Sequence, residues 1–185
     1  AFARPLGLAL IAYPVWLLSS AGLHANRVSG LGAALVALGA LGALVAARRR
    51  RALAATLRAR SAELIWSEAV SLGAYALWVL VRLLNPDLWQ PWWGGERPME
   101  FGFLLAIARS ARMPPYDPFY AGGYINYYYY GLYLVSCLVK LTGLRPEVAF
   151  NLALASLFSF AAAGALALGA SLAGRRKLVG GLLSA

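Results

Sequence analysis

Three carboxylates, Glu96, Glu100 and Asp117, fall in one polar, proline-marked stretch with Arg97, and the consecutive tyrosines Tyr127 to Tyr130 follow it. Carboxylates supply a general base or oxygen ligands for a divalent cation, and an arginine guanidinium recognises phosphate. Gly94 and Gly95 lead into a helix start at Pro98, where free backbone N–H groups can also hold a phosphate. Glu100 sits two residues inside that start, where the positive helix pole favours a carboxylate. An ordinary reading stands beside this one: Glu100 as a helix-end carboxylate, Glu96 and Arg97 solvated, and Asp117-Pro118 as a turn.

The tyrosine run has two readings as well. At about 100° per residue, four helical neighbours cover every side of one turn, so burial of a single face does not account for them. A membrane-interface aromatic belt suits rings with a polar tip. A stacking and hydrogen-bonding surface at the mouth of a ligand site is the sharper reading, and the belt is the simpler account of the run taken alone. On helical geometry Tyr124, Tyr127 and Tyr130 share a face and Tyr129 points away from it.

The elements that must position these residues are membrane helices. Of 185 residues, 61% are hydrophobic, and the charges are concentrated in a few intervals instead of being interleaved along every helix. We expect an all-α, polytopic bundle, one membrane domain over 1–185, with spans over 5–23, 28–47, 64–84, 127–141 and 148–173. Gly30, Gly32, Gly39 and Gly42 in the second span point to close packing on protein. The arginines from Arg48 to Arg60 form a cytoplasmic loop that touches anionic headgroups, which places 85–126 outside. The Arg175 to Lys177 cluster then falls outside, against the same rule. Glu68, near the inner end of the third span, is expected to snorkel or pair with an arginine. Within the outer loop, Phe101, Leu104, Leu105 and Ala108 follow helical spacing, so a helix over 98–112 is expected to lie on the membrane surface with its apolar side down.

Composition also excludes functions. The net charge of +10 arises from basic residues in short loops and at helix ends, and no nucleic-acid motif accompanies it. Cys137 and His24 are each alone in the sequence, which rules out a disulfide framework, a cysteine metal site, histidine-pair zinc chemistry and most histidine triads within this chain. The start at Ala1 and the short apolar run from Leu178 to Ala185 read as a piece of a longer protein, whose other transmembrane helices would be partners of this segment.

Ordered motifs add a resemblance. Asn85-Pro86-Asp87-Leu88-Trp89, Trp92, Gly94-Gly95-Glu96-Arg97-Pro98-Met99-Glu100-Phe101, Pro114-Pro115-Tyr116-Asp117-Pro118, Ala121 to Gly131 and Leu141-Thr142-Gly143 together resemble the Chlor_Arch_YYY family of uncharacterised polytopic membrane proteins. That family in turn is similar in layout to the GT-C glycosyltransferases, which use polyprenyl-phosphate sugars outside the cytoplasm. The resemblance implies an integral protein of the cell membrane and a transferase taking a polyprenyl-phosphate-linked sugar at the outer face. Glu96 or Glu100 would be the base, and Asp117 would assist it. Glu96 and Asp117 would be the ligands of a Mg²⁺ or Mn²⁺ ion. Arg97 would face the lipid phosphate, with Tyr124, Asn126, Tyr127, Tyr128 and Tyr130 lining the sugar and lipid entrance. In the GT-C pattern the first carboxylates are a paired Asp-Glu, whereas here Arg97, Pro98 and Met99 separate Glu96 from Glu100. The alternative from another class is a non-catalytic protein that binds or transports a lipid or glycolipid.

Overall fold

The computed structural model describes residues 2–88 and 95–172. Among them are seven helices: α1 (Ala3–Ser20), α2 (Val28–Arg48), α3 (Arg50–Ala59), α4 (Ser61–Leu84), α5 (Arg97–Arg109), α6 (Tyr130–Thr142) and α7 (Pro146–Leu172). The only extended pairing among the described residues is an isolated antiparallel bridge between Tyr116 and Tyr124. Trp89, Trp92, Gly94 and the Arg175 to Lys177 cluster lie outside the described residues.

Local chemistry accounts for the helix ends. α5 carries proline in its first turn and Glu100 beside the positive pole. α6 stops at Gly143, whose φ of 69° is a left-handed cap that favours glycine. α7 restarts at once on Pro146, with Glu147 in its first turn.

α2, α4 and α7 are long and apolar enough to cross a membrane, with 21, 24 and 27 residues against the roughly 20 that a span needs. This is an integral membrane protein. α1 has 18 residues and carries Arg4 and two prolines. α6 has 13 residues, a rise of about 20 Å, and overlaps the expected span 127–141. The arginine stretch expected as a loop is instead the helix α3.

The described residues form two compact units. One comprises 7–40, 85–88 and 95–151. Its core joins Ile11, Ala12 and Val15 of α1, Leu31 of α2, Phe103 and Ile107 of α5, and Tyr133 and Cys137 of α6, with Met113 and Ile125 from the intervening loop. The Tyr133 hydroxyl donates to the Ala12 carbonyl at 2.9 Å, which gives the largest fully buried side chain its hydrogen-bond partner.

This core corrects the expectation for α5. Its buried residues are Phe101, Phe103, Leu104 and Ile107. Phe101 and Phe103 lie about 200° apart around a helix. Protein therefore covers opposite sides of α5, and Phe101 meets the ring of Phe150 edge-on at 6.0 Å. A helix lying on a membrane by one apolar side would not be enclosed in this way.

Among the described residues the other unit comprises 2–6, 41–84 and 152–172. Here Arg4 pairs with Glu68, the partner that Glu68 was expected to find, and also donates to the Ser71 hydroxyl at 2.9 Å. Ser71 and Ser159 are buried and share a 2.8 Å hydrogen bond, while the Ser159 hydroxyl also lies 2.7 Å from the Ser71 carbonyl. Trp78 stacks on Phe158 at 4.9 Å.

The glycines of α2 also depart from expectation. Leu31 is the only buried residue of the helix, and Gly32, Gly39 and Gly42 have open space where a side chain would stand. Only Gly30 meets a close neighbour, since a Cβ there would lie 2.1 Å from the Ala25 carbonyl oxygen. Its smallness serves the α1–α2 turn, not a helix–helix contact.

Candidate carboxylate and tyrosine site

Gly95, with φ of 60°, turns the chain into α5 and presents Glu96 at the helix cap position. The Glu96 side chain makes no capping bond to its own helix. Its carboxylate instead accepts a hydrogen bond from the Tyr128 hydroxyl at 3.2 Å, on an exposed surface. The Tyr128 ring lies against Tyr127, with centroids 3.7 Å apart and planes at 39°. Hydrogen bonding with the Tyr127 side chain raises the Tyr128 pKa most, followed by desolvation and then the nearby Glu96 charge. This phenol remains a donor well above the ordinary tyrosine range.

The tyrosine run does not form a helical turn. α6 begins at Tyr130 with Tyr129 as its cap, so Tyr127 and Tyr128 precede it. The run divides in two. Tyr127 and Tyr128 stay exposed, while Tyr129 and Tyr130 are half-buried. Trp16 Nε1 donates to the Tyr129 hydroxyl at 3.0 Å, and the Trp16 ring meets Tyr130 edge-on at 5.7 Å. The expectation that Tyr127 and Tyr130 share a face opposite Tyr129 is therefore overturned, because the 100° rotation holds only inside a helix.

Tyr124 belongs to a second aromatic pair. Its ring stacks on Tyr116 at 4.7 Å and 17°, and the Tyr116 side chain is the main cause that raises the Tyr124 pKa. The backbone of this hairpin-like loop is held by Asp117 N–H to the Gly123 carbonyl at 2.9 Å and Ile125 N–H to the Pro115 carbonyl at 3.0 Å. Fully buried Ile125 anchors it in the core. Asn126 follows immediately and is exposed.

Asp117 serves the loop itself, since its Oδ1 accepts the Phe119 N–H at 2.8 Å across Pro118. Glu100 lies one turn into α5, where its N–H donates to the Glu96 carbonyl at 2.9 Å. The Arg97 guanidinium reaches the Asp87 carbonyl at 3.5 Å, the outer limit of a hydrogen bond. The structure thus brings Glu96, Tyr127 and Tyr128 together, while Asp117, Tyr124 and Tyr130 find other partners.

The residues expected to hold Mg²⁺ or Mn²⁺ do not fit that role as a set. Among the described residues no three aspartate, glutamate, histidine or cysteine side chains gather to hold a metal ion. Glu96 is engaged by a phenol and Asp117 by its own turn.

Two functional-looking features escaped the sequence reading. Trp16 gives no local signal of its contacts with Tyr129 and Tyr130, which lie far along the chain. Lys140 is visible in the sequence as a lone cation in the apolar α6. Its ammonium donates to the Asn26 carbonyl and to the Ser110 carbonyl, the latter at 3.1 Å. Buried Asn26 donates to the Ile107 and Ser110 carbonyls at 3.1 and 2.7 Å. Together the two side chains satisfy two carbonyls, of Ile107 and Ser110, at the end of α5.

Comparison with known proteins gives one match. A family described as "Uncharacterized membrane protein (DUF2298)" matches residues 10–185. No curated protein and no solved structure matches.

Proposed function

We propose, from the premise that the chain belongs to the DUF2298 family of uncharacterized membrane proteins, that it recognises the sugar of a polyprenyl-phosphate-linked donor at the outer membrane face and transfers it. The observation that carries this reading is the Glu96 carboxylate held by the Tyr128 hydroxyl beside the exposed Tyr127 ring. Sugars present C–H faces that stack on aromatic rings and hydroxyls that donate to carboxylates. The resemblance of the ordered motifs to those of a family similar in layout to GT-C glycosyltransferases points the same way, as an analogy.

In this reading one Glu96 oxygen is positioned by Tyr128 and the other takes the proton of an acceptor hydroxyl. The acceptor oxygen forms a bond to the anomeric carbon as the bond from that carbon to the phosphate oxygen breaks. The electron pair leaves with the polyprenyl phosphate, whose charge Arg97 faces. Tyr127 and Tyr128 supply the sugar platform. Glu100 lies one turn deeper and Asp117 shapes the loop.

A second reading, a non-catalytic glycolipid-binding protein, is favoured by the engagement of Asp117 in its own turn and not with Glu96. Transfer assays on the full-length protein in proteoliposomes separate the two. With a labelled polyprenyl-phosphate sugar, Glu96→Gln should lose turnover by about a hundredfold or more and retain donor binding. Turnover that survives Glu96→Gln would remove the catalytic assignment. Donor binding without turnover in the unaltered protein would establish the second reading.

A further inference from the structure

We propose that α3 is a docking surface for the phosphate group of an anionic phospholipid. α3 runs over ten residues, and its Arg50, Arg51 and Arg58 line a shallow depression floored by Ala54 and Ala55. Residues 50, 54 and 58 form one i, i+4 row, and 51 and 55 lie on the adjacent row. The alanines keep the floor low between guanidinium groups that project from both ends. Guanidinium groups bind phosphate oxygens bidentately, which makes this depression chemically suited to a phosphate.

The surroundings select a lipid as the source of that phosphate. Leu53 and Leu57 lie about 100° around the helix from the arginine row and are 45% and 49% exposed. An arginine face beside an apolar face is the pattern of a helix lying in a membrane interface. The next helix, α4, is apolar enough to span a membrane and begins with exposed Leu64, Ile65 and Trp66. Tryptophan favours the headgroup level. Arginine-rich connections between spans favour the cytoplasmic leaflet, where anionic lipids produce a negative surface potential. α3 thus has charge for the headgroup, leucines for the acyl boundary and a neighbouring anchor at that depth.

The test uses the full-length protein purified in a mild detergent and offered phosphatidylglycerol or phosphatidylcholine, with retained lipid counted by native mass spectrometry. Phosphatidylglycerol should be retained in preference, and the combined variant R50Q/R51Q/R58Q should lose that preference by more than about tenfold. All three arginines are exposed, so thermal unfolding of the variant should match the parent. R48Q/R49Q, which leaves the depression intact, should retain most of the preference. Equal retention of both lipids by the parent, or an unchanged preference in the triple variant, overturns the proposal. Displacement of phosphatidylglycerol by millimolar inorganic phosphate also overturns it, because the site would then recognise the free anion. Retention by R50K/R51K/R58K below the parent but above the glutamine variant would support bidentate recognition.

Discussion

The indole N–H of Trp16 donates to the hydroxyl of Tyr129 at 3.0 Å, across 113 positions of sequence. This bond ties α1 to the cap of α6 and draws Tyr129 away from the exposed pair formed by Tyr127 and Tyr128. Four chemically identical side chains therefore have two roles, two inside the unit and two on its surface.

Separate effects should follow from separate partners. Tyr129→Phe removes the acceptor for Trp16 and should destabilise the protein by about 1 kcal/mol. Donor binding should change little. Tyr127→Ala should do the reverse, weakening donor binding while the thermal midpoint stays near that of the parent. Loss of donor binding in Tyr129→Phe equal to that in Tyr127→Ala would contradict the division.

Tyr128 should titrate late. Its phenol is raised above the ordinary value, so it stays protonated as pH passes through about 10, where a free tyrosine ionises. Above that pH the unfolded chain has lost a proton that the folded chain retains, so the contribution of this group to stability falls as pH rises. Ultraviolet titration should show one fewer late tyrosinate in Tyr128→Phe. A parent and variant that differ by a tyrosinate formed near pH 10 would disprove the environment described for this residue.

Two α2 glycines offer a contrast. Gly30→Ala places a methyl group 2.1 Å from the Ala25 carbonyl oxygen and should cost about 1–3 kcal/mol as the turn shifts. Gly32→Ala meets open space and should be neutral or stabilising by up to about 1 kcal/mol through helix propensity. Thermal unfolding in detergent distinguishes them, and equal destabilisation by both would contradict the exposed placement of α2.

Orientation is accessible to thiol labelling in a Cys137→Ala background. Arg112 and Thr56 are both exposed in the structure. Arg112→Cys should react with an impermeant reagent in intact cells, and Thr56→Cys should react only after permeabilisation. The opposite pattern would place the carboxylate and tyrosine cluster on the cytoplasmic side and exclude an outer-face transferase.

Composition and order alone determine that this chain is a helical membrane protein, because apolar runs of bilayer length must form helices to satisfy their backbone in lipid. Pro98 with Glu100 marks the start of α5, and Gly143 followed by Pro146 marks the end of α6 and the start of α7, because these signals act within one turn. The sequence also marks Glu96 and the tyrosines as chemistry-bearing. Only the tertiary structure joins Glu96 to Tyr128 and turns Tyr129 and Tyr130 toward Trp16. Such pairings join residues as far apart as Trp16 and Tyr130, whereas periodicity reports only which neighbours share a face while the chain remains helical. Tyr127 and Tyr128 precede α6, so no helical rule reaches them, and their directions are decided by what the rest of the fold places beside them.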